Sequence, residues 1–564
     1  MELIKENQIS STALSSFCKL HGLLQLQNGI IRLPFLIKGQ IRIPDMISRM
    51  EIEQAFEEMD QNKKGLQSKG SYLQIGKVQV LRETIIDRTQ MKPTNQVVYT
   101  VMPTFQSHEV IETDIEALNR ELYNLPFSRV LELTDSIRTL LEQENEFVDQ
   151  VRAATLPTTE LPDYWHDAGF SAFSLLLGRE MITKMVDEDL GAWGVQGRKF
   201  LDGWQTLESA QVQPAPIQVL MNLMYPEESA HTGESRPQLR AVPTRQLHIT
   251  AGNSPQIPLI SLMRALMTKS PSVVKLPFGA TAPGALIALS AALTQPEHPL
   301  TRHLSVVYWP GGNEKIESAF FQPNAFDRIV VWGAPDAVVS VKTRALFTKV
   351  LTFNPRYGVS FVGKEAFTNK EELHKVAVRG VADSLVANQK ACIASQIHYV
   401  EGTKEQIQAY AKELQSVLKS VDEMTANYLK PSVKGEIKRL ERGAFLQSEW
   451  LVNRQENGED FSSGVVVVED EFNVSHHPMC RLIVVRPVTN LNKALGYLHH
   501  GVSTVSVYPK SRHLEMRDEI AAHGVSQVME LGCSGSGFAG QSHDGMMVLT
   551  ELVDWKTSVP AHFS

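Results

Sequence analysis

The sequence predicts an α/β protein centred on a doubly wound parallel sheet, and three observations carry that expectation. From residue 245 onward, short apolar runs alternate with segments of helix length. The runs are β-branched and continuous, as in strands covered on both faces. The residues that follow the first four runs are dominated by Gly, Pro, Asn and Ser, which lets main chain approach a ligand closely at the carboxyl ends of the strands.

RQLHIT opens the series, followed by PLISLMRALMTKS, SVVKLP, APGALIALSAALTQ, LSVVYWP, NEKIESAFFQ, RIVVWG and DAVVSVKTRALF. Strand and helix in strict succession argue for βαβ units. The turns after the strands are AGNSPQIP, KLPFGATAP, WPGG and WGAPD. A second α/β section begins near residue 355, with strand-like GVSFVG, IHYVEG, GVVVVED, CRLIVVRPV and VSTVSVYP among helices such as KEQIQAYAKELQSVLKSV. The first 150 residues read differently. A charged helical stretch, EIEQAFEEMDQNKKGLQSKG, leads into strand-like SYLQIGKVQVLRETII and NQVVYTVMP, then into acidic helical patterns over 112–153. This part is expected to be an accessory region. The polar stretch 225–239 reads as a surface loop.

With 564 residues, the chain should divide into roughly three or four units. Its 55 Lys+Arg against 63 Asp+Glu give a net charge of −8, which argues against a nucleic-acid binder. No apolar run reaches the ~18 residues that span a bilayer, and Arg264 interrupts the greasiest stretch. The first residues lack a basic segment followed by an apolar one, so the expected compartment is the cytoplasm. Four scattered cysteines, Cys18, Cys392, Cys480 and Cys533, suggest neither a disulfide framework nor a zinc site.

Cys392 lies in NQKACIASQ between a helical segment and the strand IHYV, with small neighbours Ala391 and Ala394. A lone cysteine is usually a small buried hydrophobe. As a nucleophile it would need an oxyanion site, which a side-chain amide together with its own N–H can supply. Asn253, in the turn after RQLHIT, is the candidate, although an Asn in such a turn is often only a turn residue.

Four segments in order, HITAGNSPQIPLISLMRALMTKSPSVVKLP, YWPGGNEKIESAFFQPNAFDRIVVWGAPDAV, NQKACIASQ and SHDGMMVLTELVDW, resemble the LuxC-type acyl-CoA reductases, a branch of the aldehyde dehydrogenase superfamily. The resemblance covers roughly residues 160–564. It implies an aldehyde dehydrogenase-like fold with a Rossmann-type cofactor domain and an α/β catalytic domain. The expected division is an N-terminal accessory region at 1–150, a cofactor domain at 151–355, a catalytic domain carrying Cys392 at 356–525, and a C-terminal segment at 526–564 near the active site or an oligomer interface. By the same resemblance, Cys392 takes the acyl group as a thioester and Asn253 donates to the oxyanion. Lys275 meets the adenosine ribose, Gly311 and Gly312 form the pyrophosphate-side turn, and Trp332 with Gly333 lies near the nicotinamide. No metal is implied. A fatty acyl-CoA or acyl-protein donor, an acyl-activating synthetase as partner and homo-oligomerisation follow from the resemblance alone.

Two departures bear on chemistry. Where ordinary aldehyde dehydrogenases place an acidic residue three positions after the lysine, this chain has Phe278, which favours NADPH while leaving NADH possible. The stretch FNPRYGVSFVG stands where hydrolytic members carry their water-activating glutamate, and it holds no carboxylate, which favours reduction of the acyl-enzyme over its hydrolysis. Two rivals stay open: an NAD(P)-dependent aldehyde dehydrogenase, supported if a carboxylate from elsewhere reaches Cys392, and a non-catalytic nucleotide-binding scaffold. Other motifs take plainer readings. GSGFAG at 535–540 reads as a loop rather than a dinucleotide fingerprint, and His476, His477 and Cys480 lack a further metal ligand at usual spacing. His499 and His500 suit a helix C-terminus, and His543 with Asp544 suits either a turn or the site lining.

Overall fold

The computed structural model describes residues 13–62, 71–208, 220, 223–224, 236–444, 449–455, 460–469 and 472–559. The β-branched runs become the expected strands. Gln246–Ile249, Ser272–Lys275, Leu304–Val307, Arg328–Trp332 and Lys349–Phe353 form a parallel sheet. Gln246–Ile249 lies in the middle, the next two strands extend to one side and the last two to the other. The winding therefore reverses between 246–249 and 328–332, and their carboxyl ends flank the ligand crevice typical of such sheets. The helix Thr281–Thr294 is apolar all round, and every residue from Thr281 to Leu293 is buried. Only Thr294, at its end, is partly open, as befits a helix enclosed on all sides.

The edge of this sheet corrects one expectation. Residues 35–42, read as part of an accessory region, form a hairpin, Phe35–Ile37 with Gln40–Arg42, whose Leu36 pairs antiparallel with Val306. Leu304–Val307 would otherwise end the sheet with unpaired main chain. The rest of the early strands form a five-stranded sheet built on the long pairing of Val78–Asp87 with Lys92–Pro103. The charged helix spans Arg49–Asn62, and the remainder of that stretch, 63–70, lies outside the described residues. Residues 225–235 of the expected loop also lie outside them, while its last residues start the strand Gln238–Val242.

The second section is a seven-stranded sheet in the order Glu449–Arg454, Phe461–Val467, Leu482–Val488, Ser395–Glu401, Tyr357–Val362, Val502–Tyr508, Gln527–Glu530, parallel except for its first strand. Asp554–Ser558 returns to pair with Gln238–Val242, and the short helix Val548–Leu552 packs against Val330, Leu351 and Phe353. Among the described residues, no helix is long and apolar enough to cross a membrane.

The parallel sheet of the first section and the seven-stranded sheet of the second each hide a histidine. His248 meets Gln246 Oε1 at 2.8 Å, and His398 lies between Ser384 Oγ at 2.9 Å and Tyr410 Oη at 3.0 Å. Burial holds both imidazoles down at about 3. The unfolded chain, with histidines near ~6.5, binds more protons between those values, so folding stability must fall as pH drops through that window. The expected slope is about 1.4 kcal/mol per pH unit for each histidine. Urea midpoints at pH 7, 5.5 and 4.5 check it, and a flat series would refute it.

Candidate active site

The helix Lys370–Ser384 ends in a loop that a free chain would avoid. Ala387, Asn388 and Gln389 take φ of 49°, 53° and 66°, three successive left-handed residues without a glycine. Each costs roughly 1–2 kcal/mol, so something must over-determine them. Opposite stands a second such run, Met479, Cys480 and Arg481, at 56°, 56° and 64°. The two are laced together. Gln389 Nε2 donates to the Leu482 carbonyl at 2.7 Å, and Leu482 N–H donates back to Gln389 Oε1 at 3.2 Å. Arg481, with a side chain that is fully buried, donates to Asn388 Oδ1 at 2.9 Å, Asp422 Oδ1 at 2.8 Å and the Thr425 carbonyl at 2.8 Å. Asn427 ties in Asn388, Ser462 and Cys480.

This loop delivers Cys392, which is partly exposed. Its carbonyl accepts the Ser503 hydroxyl, and Gly358 N–H holds the Ala394 carbonyl at 2.8 Å. A Cβ on Gly358 would come within 2.3 Å of the Ile393 oxygen, so position 358 of the strand Tyr357–Val362 must be glycine. Burial, then the charge of Asp544, push the thiol up to about 11, while Arg356 and the N–H groups of Cys392 and Ile393 act in the other direction. A carboxylate does reach the thiol's field, although none stands in FNPRYGVSFVG. Arg356 Nε lies 3.8 Å from Asp544 Oδ1 and Nη1 donates to Ser526 Oγ at 2.9 Å.

Asn253 meets the same loop. Its Nδ2 donates to the Lys390 carbonyl at 3.5 Å, two residues before Cys392. Lys390 is itself held by Glu160 at 2.9 Å, and Glu160 pairs with Lys430 at 2.7 Å. Gly252 is required beside Asn253, because a Cβ there would sit 2.0 Å from the Phe278 carbonyl oxygen.

The carboxyl ends of the first sheet hold the remaining candidates. Lys275 Nζ has no hydrogen-bond acceptor among the described residues and lies 5.3 Å from the ring centroids of Tyr308 and Trp309. Burial pushes its ammonium down to about 8. Gly311 and Gly312 are exposed, with nothing within 4 Å of an added Cβ, and Glu317 engages Gly312 N–H at 3.1 Å. Trp332 stacks on Phe353 at 4.0 Å and meets His543 edge-on at 5.2 Å, with Gly333 following it. Arg264 lies under both rings and donates to His543 Nδ1 at 3.1 Å. An open glycine turn, a lysine lacking an acceptor and an aromatic wall fit a dinucleotide with anionic and hydroxyl-bearing parts.

The other motifs have structural roles. A strand, Gln527–Glu530, does precede GSGFAG, but turns follow it and the next helix starts only at Val548. His477 Nδ1 accepts from Met479 N–H at 3.0 Å, and His499 caps Gly501 N–H at 3.0 Å rather than a helix end. Arg356, Arg481, Glu317 and Glu160 were not anticipated. Arg481, at the head of the apolar run LIVV, gives a sequence signal of the kind Arg264 gives, and the other three give none.

The match to known families is decisive here. Residues 232–555, more than half of the chain, match the family described as acyl-CoA reductase (LuxC). The chain belongs to that family. This LuxC-family chain is 27% identical over 337 residues to the long-chain acyl-protein thioester reductase of Photorhabdus laumondii, covering 57% of this chain and 65% of that one. It is also 27% identical over 332 residues to the protein of the same name in Vibrio harveyi, covering 56% and 64%. The LuxC-family chain thus spans less than two thirds of the length of these relatives. Solved structures share its fold. The NADP-dependent glyceraldehyde-3-phosphate dehydrogenase of Bacillus halodurans, complexed with NADP, superposes with a TM-score of 0.63 at 13% identity over 86% of this chain and 96% of that one. The NAD-dependent benzaldehyde dehydrogenase of Corynebacterium glutamicum gives 0.61 at 11% identity over 94% and 97%. The aldehyde dehydrogenase fold therefore takes in most of the first 150 residues.

Proposed function

We propose that this LuxC-family chain reduces a long-chain fatty acyl thioester to the aldehyde through an acyl-enzyme on Cys392. The observation that carries the reading is the over-determined loop that presents a partly exposed Cys392, with the Asn253 amide donating to the Lys390 carbonyl of the same loop. Cys392 attacks the thioester carbonyl, and Asn253 and the Cys392 N–H receive the oxyanion. A bound nicotinamide cofactor supplies the hydride that the acyl-enzyme accepts. Lys275 would meet its ribose hydroxyls, Gly311 and Gly312 its pyrophosphate, and Trp332 and Gly333 would flank the ring. NADPH is favoured because exposed Phe278 leaves no carboxylate to repel a 2′-phosphate.

The donor is an acyl-CoA or an acylated protein, the latter being the substrate in the names of the relatives. An acyl-activating synthetase would then be its partner, in a homo-oligomer within the cytoplasm. Of the expected domains, 151–355 would bind cofactor, 356–525 would carry the nucleophile, and 526–564 would close the site. Intact-mass detection of a tetradecanoyl adduct, with aldehyde formation and NADPH oxidation, tests the reading. An adduct without aldehyde would overturn it. Asn253→Ala is expected to lower turnover about 10²- to 10³-fold, the usual cost of one oxyanion donor. An unchanged rate constant would remove Asn253 from the mechanism.

Asp544 favours a second reading, hydrolytic oxidation of an aldehyde, since a carboxylate can activate water. Formation of fatty acid from aldehyde and NADP⁺ would distinguish it.

A further inference from the structure

One nearly buried carboxylate ties together the residues gathered at the carboxyl ends of Ser272–Lys275 and Leu304–Val307. Glu317, on the short helix Glu314–Phe320, is 8% exposed. Its Oε1 accepts twice, from the Gly312 N–H at 3.1 Å and from the Trp309 indole N–H at 3.2 Å. Its Oε2 accepts from Arg344 at 2.6 Å, and the same guanidinium donates to exposed Glu314 at 2.8 Å. The Trp309 ring is fully buried, with Phe320 edge-on at 5.1 Å and Phe105 at 6.2 Å. Lys275 Nζ lies 5.3 Å from the centroid of that ring, so ammonium and carboxylate share one indole. The neighbouring Tyr308 is held from the N-terminal sheet, where Gln79 Nε2 donates to its carbonyl at 3.1 Å. Gly312 takes a φ of 80° and its N–H is committed to Glu317, whereas the Gly311 N–H has no acceptor among the described residues. A carboxylate drawn this far from water to hold one ring and one exposed turn calls for a reason.

We propose that Glu317 is the positioning residue of the cofactor site, fixing the 310–312 turn and the Trp309 ring so that the Gly311 N–H and the Lys275 side chain face one bound dinucleotide. The inference rests on the cofactor reading above and deepens it. Glu317 acts through Gly312, Trp309 and Lys275. With the Gly312 N–H taken, the Gly311 N–H is the one left for a phosphate oxygen. Lys275, without a protein acceptor, is left for the ligand's hydroxyl or phosphate oxygens. The groups facing its ammonium are Tyr308 and Trp309 from the neighbouring strand end and Glu317 from its helix. Tyr72 and Glu83 act on Tyr308 from the N-terminal sheet, and Arg344 stands behind Glu317. Burial pushes the ammonium down to about 8, and the charge of Glu317 opposes that fall. Cofactor affinity should therefore weaken as pH rises through about 8, where Lys275 loses its proton. Removing the Glu317 charge lets the proton leave sooner, so the loss of affinity should move to lower pH.

The test is calorimetric titration of NADPH into wild type, Glu317→Gln and Glu317→Leu from pH 6.5 to 9.5, with no acyl donor present. Glutamine keeps an acceptor oxygen for Trp309 and Gly312 but loses the charge, whereas leucine loses both. The expected result is a split. Glu317→Leu should raise the dissociation constant about tenfold or more already at pH 6.5. Glu317→Gln should stay within about threefold of wild type there, while its affinity starts to fall about one pH unit earlier. A merely structural role would weaken binding without moving the pH profile. Formation of the tetradecanoyl adduct on Cys392 needs no cofactor and serves, with the urea midpoint, as the control for folding. Should Glu317→Leu fail that control, the Glu317→Gln profile decides alone. Unchanged affinity in a folded Glu317→Leu, or a Glu317→Gln profile that overlies wild type, would each overturn the proposal. Wild type that binds neither NADPH nor NADH would sink the cofactor reading and this proposal with it. Wild type that binds cofactor but forms no adduct would sink the acyl-transfer reading alone, and the titrations would still decide on Glu317.

Discussion

Cys392→Ala should abolish the acyl adduct and lower turnover by on the order of 10⁴- to 10⁶-fold, the scale on which loss of a nucleophile is felt. The fold should survive, because Ala391 and Ala394 already show that the loop accepts a methyl side chain and the loop's bonds run through Asn388, Gln389 and main chain. The thiol stands at about 11, raised first by burial and then by Asp544, so only on the order of one molecule in 10⁴ is a thiolate at pH 7. The rate of alkylation should therefore keep climbing from pH 7 to 10. Of the other cysteines, Cys18 and Cys480 are buried and Cys533 is partly exposed. A Cys533→Ala control should thus keep the adduct. Retention of the adduct in Cys392→Ala, or turnover within tenfold of wild type, would move the chemistry elsewhere.

The second large effect is on stability. Arg481→Ala is expected to cost about 3–5 kcal/mol, because it strands Asp422 and leaves the Asn388 amide oxygen and the Thr425 carbonyl without their donor. The same change should slow acylation in whatever fraction stays folded, since Asn388 holds one of the three left-handed residues ahead of Cys392. Urea denaturation with Asp422→Asn and the double variant would measure the coupling between the pair. A loss below about 1 kcal/mol would mean that the loop holds its shape without Arg481.

What the sequence made legible follows a physical line. The strands 246–249, 272–275, 304–307 and 328–332 announce themselves because burial on both faces leaves a continuous β-branched run, which needs no partner to be recognised. Cys392 and Asn253 stand out as candidates because small, turn-forming neighbours mark both, and the fold brings Asn253 to the loop that carries Cys392. The hairpin at 35–42 was not, since its place depends on a strand some 270 residues later and three-residue strands carry little pattern. Arg481 escaped notice for a similar reason: CRLIVVRPV reads as the start of a strand, and only the folded chain puts the guanidinium under Asn388. Asp544 sat in a recognised segment, yet its relation to Cys392 exists only in three dimensions.

The return of Asp554–Ser558 to Gln238–Val242 has a temporal meaning. Thr244 Oγ1 and Gln246 Nε2, at the root of the first strand of the cofactor-type sheet, both donate to the carbonyl of Leu552, 308 and 306 residues later. At roughly 5–20 residues per second of synthesis, the ribosome needs on the order of 15–60 s between making the two. During that interval Val330, Leu351 and Phe353 lack their cover of Val548 and Leu552, and Cys392 lacks Asp544. A nascent chain can therefore display most of its sheets while the cofactor-type sheet still lacks its cover, and that sheet is completed only when the last segment arrives.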